Sequence, residues 1–205
     1  MKIASCILLI FLFVAACSSR FNQQTEEPIS EAKLDSLRTV YYKLNDTIQF
    51  TWQSMMEDDN GKITNMLMLL DEVKKTGHYP DDSLAPVADM IGALKSMQYD
   101  SVSVGDPNLI KRYDSLTLNA RNAIATYAEG LPAEESSPMI SVLLDRVLTA
   151  QSSAVLYRVS YDNFIYDFNL FLEKYKGMMS SIDSSRERVY KRPTFRLVND
   201  YKEDN

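Results

Sequence analysis

Residues 34–75 read LDSLRTVYYKLNDTIQFTWQSMMEDDNGKITNMLMLLDEVKK, and the spacing of their apolar residues decides the fold. An apolar residue recurs every three or four positions, which is the pattern of a helix that buries one face. This stripe consists of Leu37, Tyr41, Leu44, Ile48, Trp52, Met55, Ile63, Met66, Leu70 and Val73. The polar run at residues 58–61 interrupts the stripe, but the same phase resumes at Ile63. The spacing predicts one helix over residues 34–75, about 60 Å long, with residues 58–61 as a candidate kink.

Three more helices are predicted from the residues that begin and end them. A short helix follows Asp82, a third begins with Asp106 as its N-cap and ends at Gly130, and a fourth, about 60 Å long, runs from Pro138 to near Gly177. Short connections make sequential neighbours antiparallel. The sequence therefore predicts an all-α, elongated antiparallel four-helix bundle with two long and two shorter helices. If the two long helices pack side by side in antiparallel directions along their full length, Trp52 lies opposite Tyr161.

The N-terminus has the features of an exported lipoprotein. Lys2 precedes an apolar run at residues 7–16, which is too short to span a membrane and is typical of a secretory signal peptide. Residues 14–17 read VAAC and resemble a bacterial lipobox, in which the cysteine, here Cys17, is acylated. The alternative is an ordinary signal peptide with Cys17 next to the cleavage site. We expect a signal peptide at 1–16, a lipidated flexible tether at 17–33, the helical bundle at 34–180 and a polar tail at 181–205.

Composition excludes several function classes. The 205 residues include 22 Lys and Arg and 28 Asp and Glu, a net charge of −6, and no sustained basic run, so nucleic acid is a poor partner. There is one histidine, and one of the two cysteines lies in the predicted signal peptide, so a metal site and an internal disulfide are not expected. No nucleophile and base stand at recognisable spacing. We therefore expect no enzymatic activity and no cofactor.

Two segments of the predicted helices and tail resemble the LemA family of bacterial envelope proteins. Residues 158–169 read RVSYDNFIYDFN and are similar to the family's Arg-x-x-Tyr-Asn-x-x-Val-x-Asp-Tyr-Asn helix, and residues 192–195 read RPTF, like its Arg-Pro-x-Phe ending. The residues that carry the resemblance are Trp52, Arg158, Tyr161, Asp162, Phe168, Asn169, Arg192, Pro193 and Phe195. The resemblance implies an elongated helical bundle on a membrane, with these residues in structural roles. Asp162 and Phe168 replace the family's asparagine and tyrosine.

Several local patterns have a structural and a functional interpretation. Core packing explains the helix face formed by residues 161, 165 and 168, and a ligand-binding groove at this face is the alternative interpretation. Arg158 and Asp162 are spaced to pair across one helical turn. Residues 57–61 resemble part of a calcium loop but lack two obligatory ligands, so a solvated helix face is favoured. His78 is interpreted as a turn residue.

The basic C-terminal tail and a set of short sequence triplets each allow more than one functional interpretation. Residues 186–196 hold five basic residues and one acidic residue, which fits either contact with lipid headgroups or a solvated, partly disordered end, and we favour the solvated end. Five Asp-Ser/Thr-apolar triplets resemble O-glycosylation acceptors. They begin at Asp35, Asp46, Asp82, Asp100 and Asp114.

The leading hypothesis is a non-enzymatic, lipid-anchored bundle in the periplasm that acts as a structural or protein-interaction module. Its expected partners are the membrane, through acylated Cys17, and an envelope protein; the outer membrane is the favoured location. The alternative is a sensory bundle that binds a small molecule between its helices. A polar groove of about 300 Å³ or more would favour that alternative.

Overall fold

All regular structure in the described residues is helical, which confirms the predicted all-α class. The computed structural model describes residues 30–183, 185 and 189–195. The predicted signal peptide, Cys17 and most of the predicted tether lie outside these residues. The longer helices are α1 Glu31–Lys75, α2 Asp81–Met97, α3 Pro107–Glu129, α4 Pro138–Thr149 and α5 Gln151–Lys174. Single turns follow at Ser103–Gly105 and Lys176–Met178, and a last short helix, α6, spans Met179–Ile182.

Helix α1 is longer than its apolar stripe. The hydroxyl of Ser30 accepts a hydrogen bond from the backbone N–H of Lys33, so the helix begins at Glu31 and includes residues 31–33 of the predicted tether. It continues without interruption through the polar run at 58–61. It ends at Lys75, and Gly77 adopts a positive φ of 69° just beyond, as the glycine after a helix often does.

The predicted starts of α3 and α4 are confirmed by their caps. The Asp106 carboxylate accepts hydrogen bonds from the backbone N–H groups of Asn108 and Leu109, at 2.9 and 3.3 Å. Proline occupies the first position of both helices, where its missing N–H is not needed. Gly130 follows the last residue of α3, as expected.

The predicted fourth helix is instead two helices that meet at Ala150. Ala150 keeps a right-handed conformation with ψ of −17°, and its N–H bonds to the carbonyl of Arg146, but regular helix ends and restarts there. The hydroxyl of Ser153 donates to the Ala150 carbonyl at 2.8 Å and lies 2.9 Å from an oxygen of the Asp58 carboxylate. A hydroxyl that bonds back to a carbonyl one turn earlier often bends a helix, but Thr39, Thr47 and Thr51 make bonds of this kind within unbroken α1, so this bond alone does not account for the interruption.

Helix α1 is the central helix of the core. It packs against α2, α3, α4 and α5, and α2 packs against α3. Trp52 contacts Tyr161 with ring centroids 5.4 Å apart, and Tyr41 stacks on Phe168, so α5 runs antiparallel to the N-terminal half of α1 in the predicted register. The most deeply buried apolar side chains include Leu69, Val73, Leu84, Ile91, Leu94, Ile124, Leu143 and Ile165.

Candidate functional site

The residues of the family resemblance converge where the C-terminal segment lies against α5. We call residues 189–195 the return segment. Its last described residue, Phe195, is only 8% exposed. The prediction of a solvated tail is therefore wrong for residues 192–195, which α5 holds by hydrogen bonds to the backbone of Arg192 and Phe195, whereas Tyr190 and Lys191 are exposed as predicted.

Asn169 provides the first of these attachments. Its side-chain amide donates to the carbonyl of Arg192 and accepts from the backbone N–H of the same residue, both at 2.9 Å. One asparagine thus satisfies both backbone groups of one residue, which would otherwise need strand partners.

Asp162 provides the second attachment. It is fully buried, and its carboxylate accepts the backbone N–H of Phe195 at 2.8 Å. The Phe195 ring then packs edge-on against Tyr99 and Tyr161, with centroids 5.5 and 5.8 Å away. Edge-to-face pairs at these distances are favourable beyond the area that they bury. The predicted core role of Tyr161 and Phe168 is confirmed, since both are at most 1% exposed.

Arg158 lies beside this cluster and forms a two-point salt bridge. Its guanidinium bonds both oxygens of Asp114, at 2.7 and 2.8 Å, and the hydroxyl of Tyr99 at 3.2 Å. It also lies 5.1 Å from the centroid of the Phe195 ring. Arg158 therefore takes its salt bridge from α3, whereas the carboxylate of Asp162 binds the return segment. Burial opposes the charge, but the bonds to Asp114 dominate and hold the pKa of Arg158 above its ordinary value.

Arg192 and Pro193 complete the cluster. The Arg192 guanidinium lies 4.4 Å from the centroid of Phe168 and donates to the side-chain oxygen of Asn45 on α1. Pro193 packs near Gly105, where a Cβ would come within 3.0 Å of the proline ring. Sequence reasoning missed Asn45, Tyr99 and Asp114, because isolated polar or aromatic residues on separate helices carry no periodic signal.

The tyrosines of this region resist ionisation. Burial raises the pKa of Tyr161 to about 12. Burial, assisted by a hydrogen bond to Asp183, also raises the pKa of Tyr41 to about 12. Burial and the neighbouring Asp59 carboxylate raise the pKa of Tyr113 as well. Their hydroxyl groups therefore stay protonated through the physiological range, and those of Tyr41 and Tyr113 donate hydrogen bonds to Asp183 and Asp59.

A second polar cluster lies on α1 at residues 57–61, the segment that resembles part of a calcium loop. The Lys62 ammonium is 3.1 Å from Asp59 and 3.5 Å from Asp58, and the Tyr113 hydroxyl donates to Asp59. These carboxylates lie on a continuous helix rather than a loop, and Lys62 offsets one of their two negative charges. Among the described residues, no group of three His, Cys, Asp or Glu side chains is placed to hold a metal ion.

A groove of about 700 Å³ opens between α1 and the return segment. Asn45, Ile48, Gln49 and Trp52 of α1 form one side, and residues 190–193 form the other. Ser101, Val102 and Tyr161 complete the lining. The groove is larger than the volume at which ligand binding becomes the favoured alternative, but it lies at the edge of the bundle rather than in the seam between its helices.

The outward face of α5 is unusually apolar. Val155, Leu156, Val159, Tyr166 and Leu170 are all more than a third exposed, with Leu156 at 70%. By length and composition, Pro138–Lys174 is the one helical stretch of the described residues that would suit a membrane span, with a mean hydropathy of 1.3 over its best window. Core helices often pass the same test, and the opposite face of α5 carries Tyr161, Ile165 and Phe168 into the core.

His78 is a turn residue, as predicted, and its Nδ1 lies 2.8 Å from the Glu135 carboxylate in the loop before α4.

Searches against family models, curated proteins and solved structures found no match to this chain.

Proposed function

We propose that this protein is a lipid-anchored helical bundle of the bacterial envelope, of LemA type, that acts as a protein-interaction module facing the periplasm. The observation that carries the interaction role is the exposed apolar face of α5. Soluble monomers rarely expose contiguous apolar patches unless the patch contacts another molecule. The anchoring role rests on the lipobox at residues 14–17.

The bundle offers that face on a rigid support. Helix α5 is held to α1 by aromatic packing and to the return segment by Asn169 and Asp162. Ala150 retains right-handed backbone angles, with φ of −62° and ψ of −17°. These backbone angles support the proposal that α4 and α5 together form one long, bent helix of a four-helix bundle.

A protein partner is favoured over a transmembrane role for α5. Spanning a bilayer would separate Asp162 from the Phe195 N–H and Arg158 from Asp114, and would leave both charges in hydrocarbon. Contact through the outward face alone leaves these bonds intact. The proposal therefore places α5 against a partner, with its inner face still packed on α1.

Site-specific photocrosslinking in the native envelope tests the interaction role. A photoreactive amino acid at Leu156 or Val159 is expected to give a discrete crosslinked protein band. The same residue at Asp89, which is exposed on α2, is the matched control and is expected to give none. Crosslinks from α5 to lipid alone, or equal bands from both helices, would contradict the proposal.

A further inference from the structure

The groove between α1 and the return segment has an uneven charge. Within the described residues its lining includes two cations, Lys191 and Arg192, and no aspartate or glutamate. The whole chain, by contrast, carries a net charge of −6. A local cationic lining in an acidic protein attracts anions to that place.

Of the two groove cations, Arg192 is the one for which no carboxylate partner lies among the described residues. Lys191 reaches out of the groove to the exposed Glu173, at 2.9 Å. In the described part of the chain, the guanidinium of Arg192 contacts the amide oxygen of Asn45 and the ring face of Phe168, both uncharged. Arg158, at a similar depth, binds both oxygens of Asp114. A part-buried guanidinium without a carboxylate is ready to accept one, since its planar donors match a carboxylate.

The rest of the lining combines apolar and polar side chains. Trp52 is partly exposed and Ile48 is buried, while Val102 and Tyr190 are 76% and 68% exposed. Exposed apolar side chains such as these gain when a hydrocarbon surface covers them. The amides of Asn45 and Gln49 add hydrogen-bonding groups near Arg192.

We propose that this groove binds a small amphipathic carboxylate, with its anionic head on Arg192 and its hydrocarbon body over Trp52 and Val102. The proposed ligand is a single molecule with one anionic end and an apolar chain or ring. The proposal is independent of the α5 interaction surface, because the two surfaces share no residue.

The chain contains a direct probe of binding. Trp52 is its single tryptophan and lines the groove, so its fluorescence reports occupancy. The experiment titrates the purified mature chain with decanoate and, in parallel, with decyltrimethylammonium, which has an alkyl chain of the same length and a positive head. Decanoate is expected to change Trp52 emission with saturation below 1 mM, and the cationic analogue is expected to bind at least tenfold more weakly.

Two variants and one control locate the site. Arg192→Gln removes the cation and Val102→Asp places a carboxylate at the rim, and each is expected to weaken decanoate binding at least tenfold. Because Val102 is exposed, Val102→Asp leaves the core intact even where loss of Arg192 loosens the return segment. Val155→Asp on the α5 face is the matched control and is expected to leave the affinity unchanged.

Three results would overturn the proposal. The first is that decanoate up to 1 mM gives neither a saturable fluorescence change nor calorimetric heat. The second is that decanoate and decyltrimethylammonium bind equally well. The third is that Val102→Asp and Val155→Asp lose affinity for decanoate equally. Equal binding of both head groups would mean simple apolar adsorption. Calorimetry on the same samples distinguishes weak binding from a silent fluorophore.

Discussion

At the scale of single residues, the return segment depends on two side chains of α5. Asn169 bonds both backbone groups of Arg192, and Asp162 bonds the N–H of Phe195. A segment without periodic hydrophobicity can thus be as well placed as a helix, because its backbone groups are satisfied by side chains. The LemA-like residues of α5 and of the C-terminus are, in this structure, the two halves of one set of contacts.

Asp162→Ala is expected to destabilise the protein more than Asp162→Asn. Alanine leaves the buried N–H of Phe195 without its acceptor, which costs about 1–3 kcal/mol in the free energy of unfolding. The asparagine oxygen can still accept that hydrogen bond. Urea unfolding measures the loss, and hydrogen exchange at the Phe195 amide locates it. Equal stability of the two variants would contradict the assigned role of the carboxylate oxygen.

The buried tyrosines predict a loss of stability at alkaline pH. The pKa of Tyr161 is raised by burial to about 12 in the folded protein, against about 10 in an unfolded chain. Below pH 10 both states keep the proton and its contribution is constant. Between pH 10 and 12 the unfolded chain releases the proton first, so stability falls as pH rises. Urea midpoints at pH 8, 10 and 11 check this, and Tyr161→Phe should give a shallower fall, whereas an unchanged profile would contradict it.

At the scale of elements, the interruption at Ala150 lies beside the polar run of α1. The polar run at residues 58–61 is helical, and its carboxylates turn inward to Lys62, Tyr113 and Ser153. The Ser153 hydroxyl has one proton and two acceptors within reach, the Asp58 carboxylate and the carbonyl of Ala150. The gap in the apolar stripe of one helix therefore coincides with the break in the helix that packs on it.

Lys62→Met tests how much this cluster depends on its cation. The Lys62 side chain is 9% exposed, and without it the buried Asp59 and the part-buried Asp58 would lose their nearby cation. Removal of one partner from a buried ion pair costs about 3–5 kcal/mol in stability. Urea unfolding is the measurement, with Lys95→Met, an exposed lysine of α2, as the control. A change no larger than that of Lys95→Met would show that the charge is not needed.

Helix starts, helix phase and the register of α1 with α5 could be predicted from the sequence, because caps and periodic apolar residues are local signals. Ser30 was missed because its cap lies just before the apolar stripe begins. The break at Ala150 was missed because the apolar phase continues across it. Docking of the return segment was missed for a similar reason, since Arg192 and Asn169 are 23 residues apart and meet only in the folded chain.

At the scale of the whole molecule, the groove lies in the N-terminal part of α1, toward the end of the chain that carries the proposed anchor. Helix α1 begins at Glu31, and Asn45 and Trp52 lie about 20 and 30 Å along it at 1.5 Å per residue. Cys17 stands 13 residues before Ser30, and 13 residues reach at most about 45 Å. A bundle held in this way keeps its N-terminal half, with the groove, within several nanometres of a bilayer, where amphipathic carboxylates partition.

Cys17→Ala tests the anchor on which this arrangement depends. Cys17 lies outside the described residues, and its acylation is predicted from the lipobox alone. Because several acyl chains make membrane attachment effectively permanent, the variant is expected to lose labelling by a fatty-acid analogue and to move from the membrane to the soluble fraction after carbonate washing. Its helix content and urea midpoint should stay unchanged, since the bundle begins at Ser30. Cys6→Ala, within the predicted signal peptide, is the control and should keep the label. Retention of unlabelled Cys17→Ala in washed membranes would mean that another surface holds the protein there, and the apolar face of α5 would then be the first to examine by crosslinking to lipid.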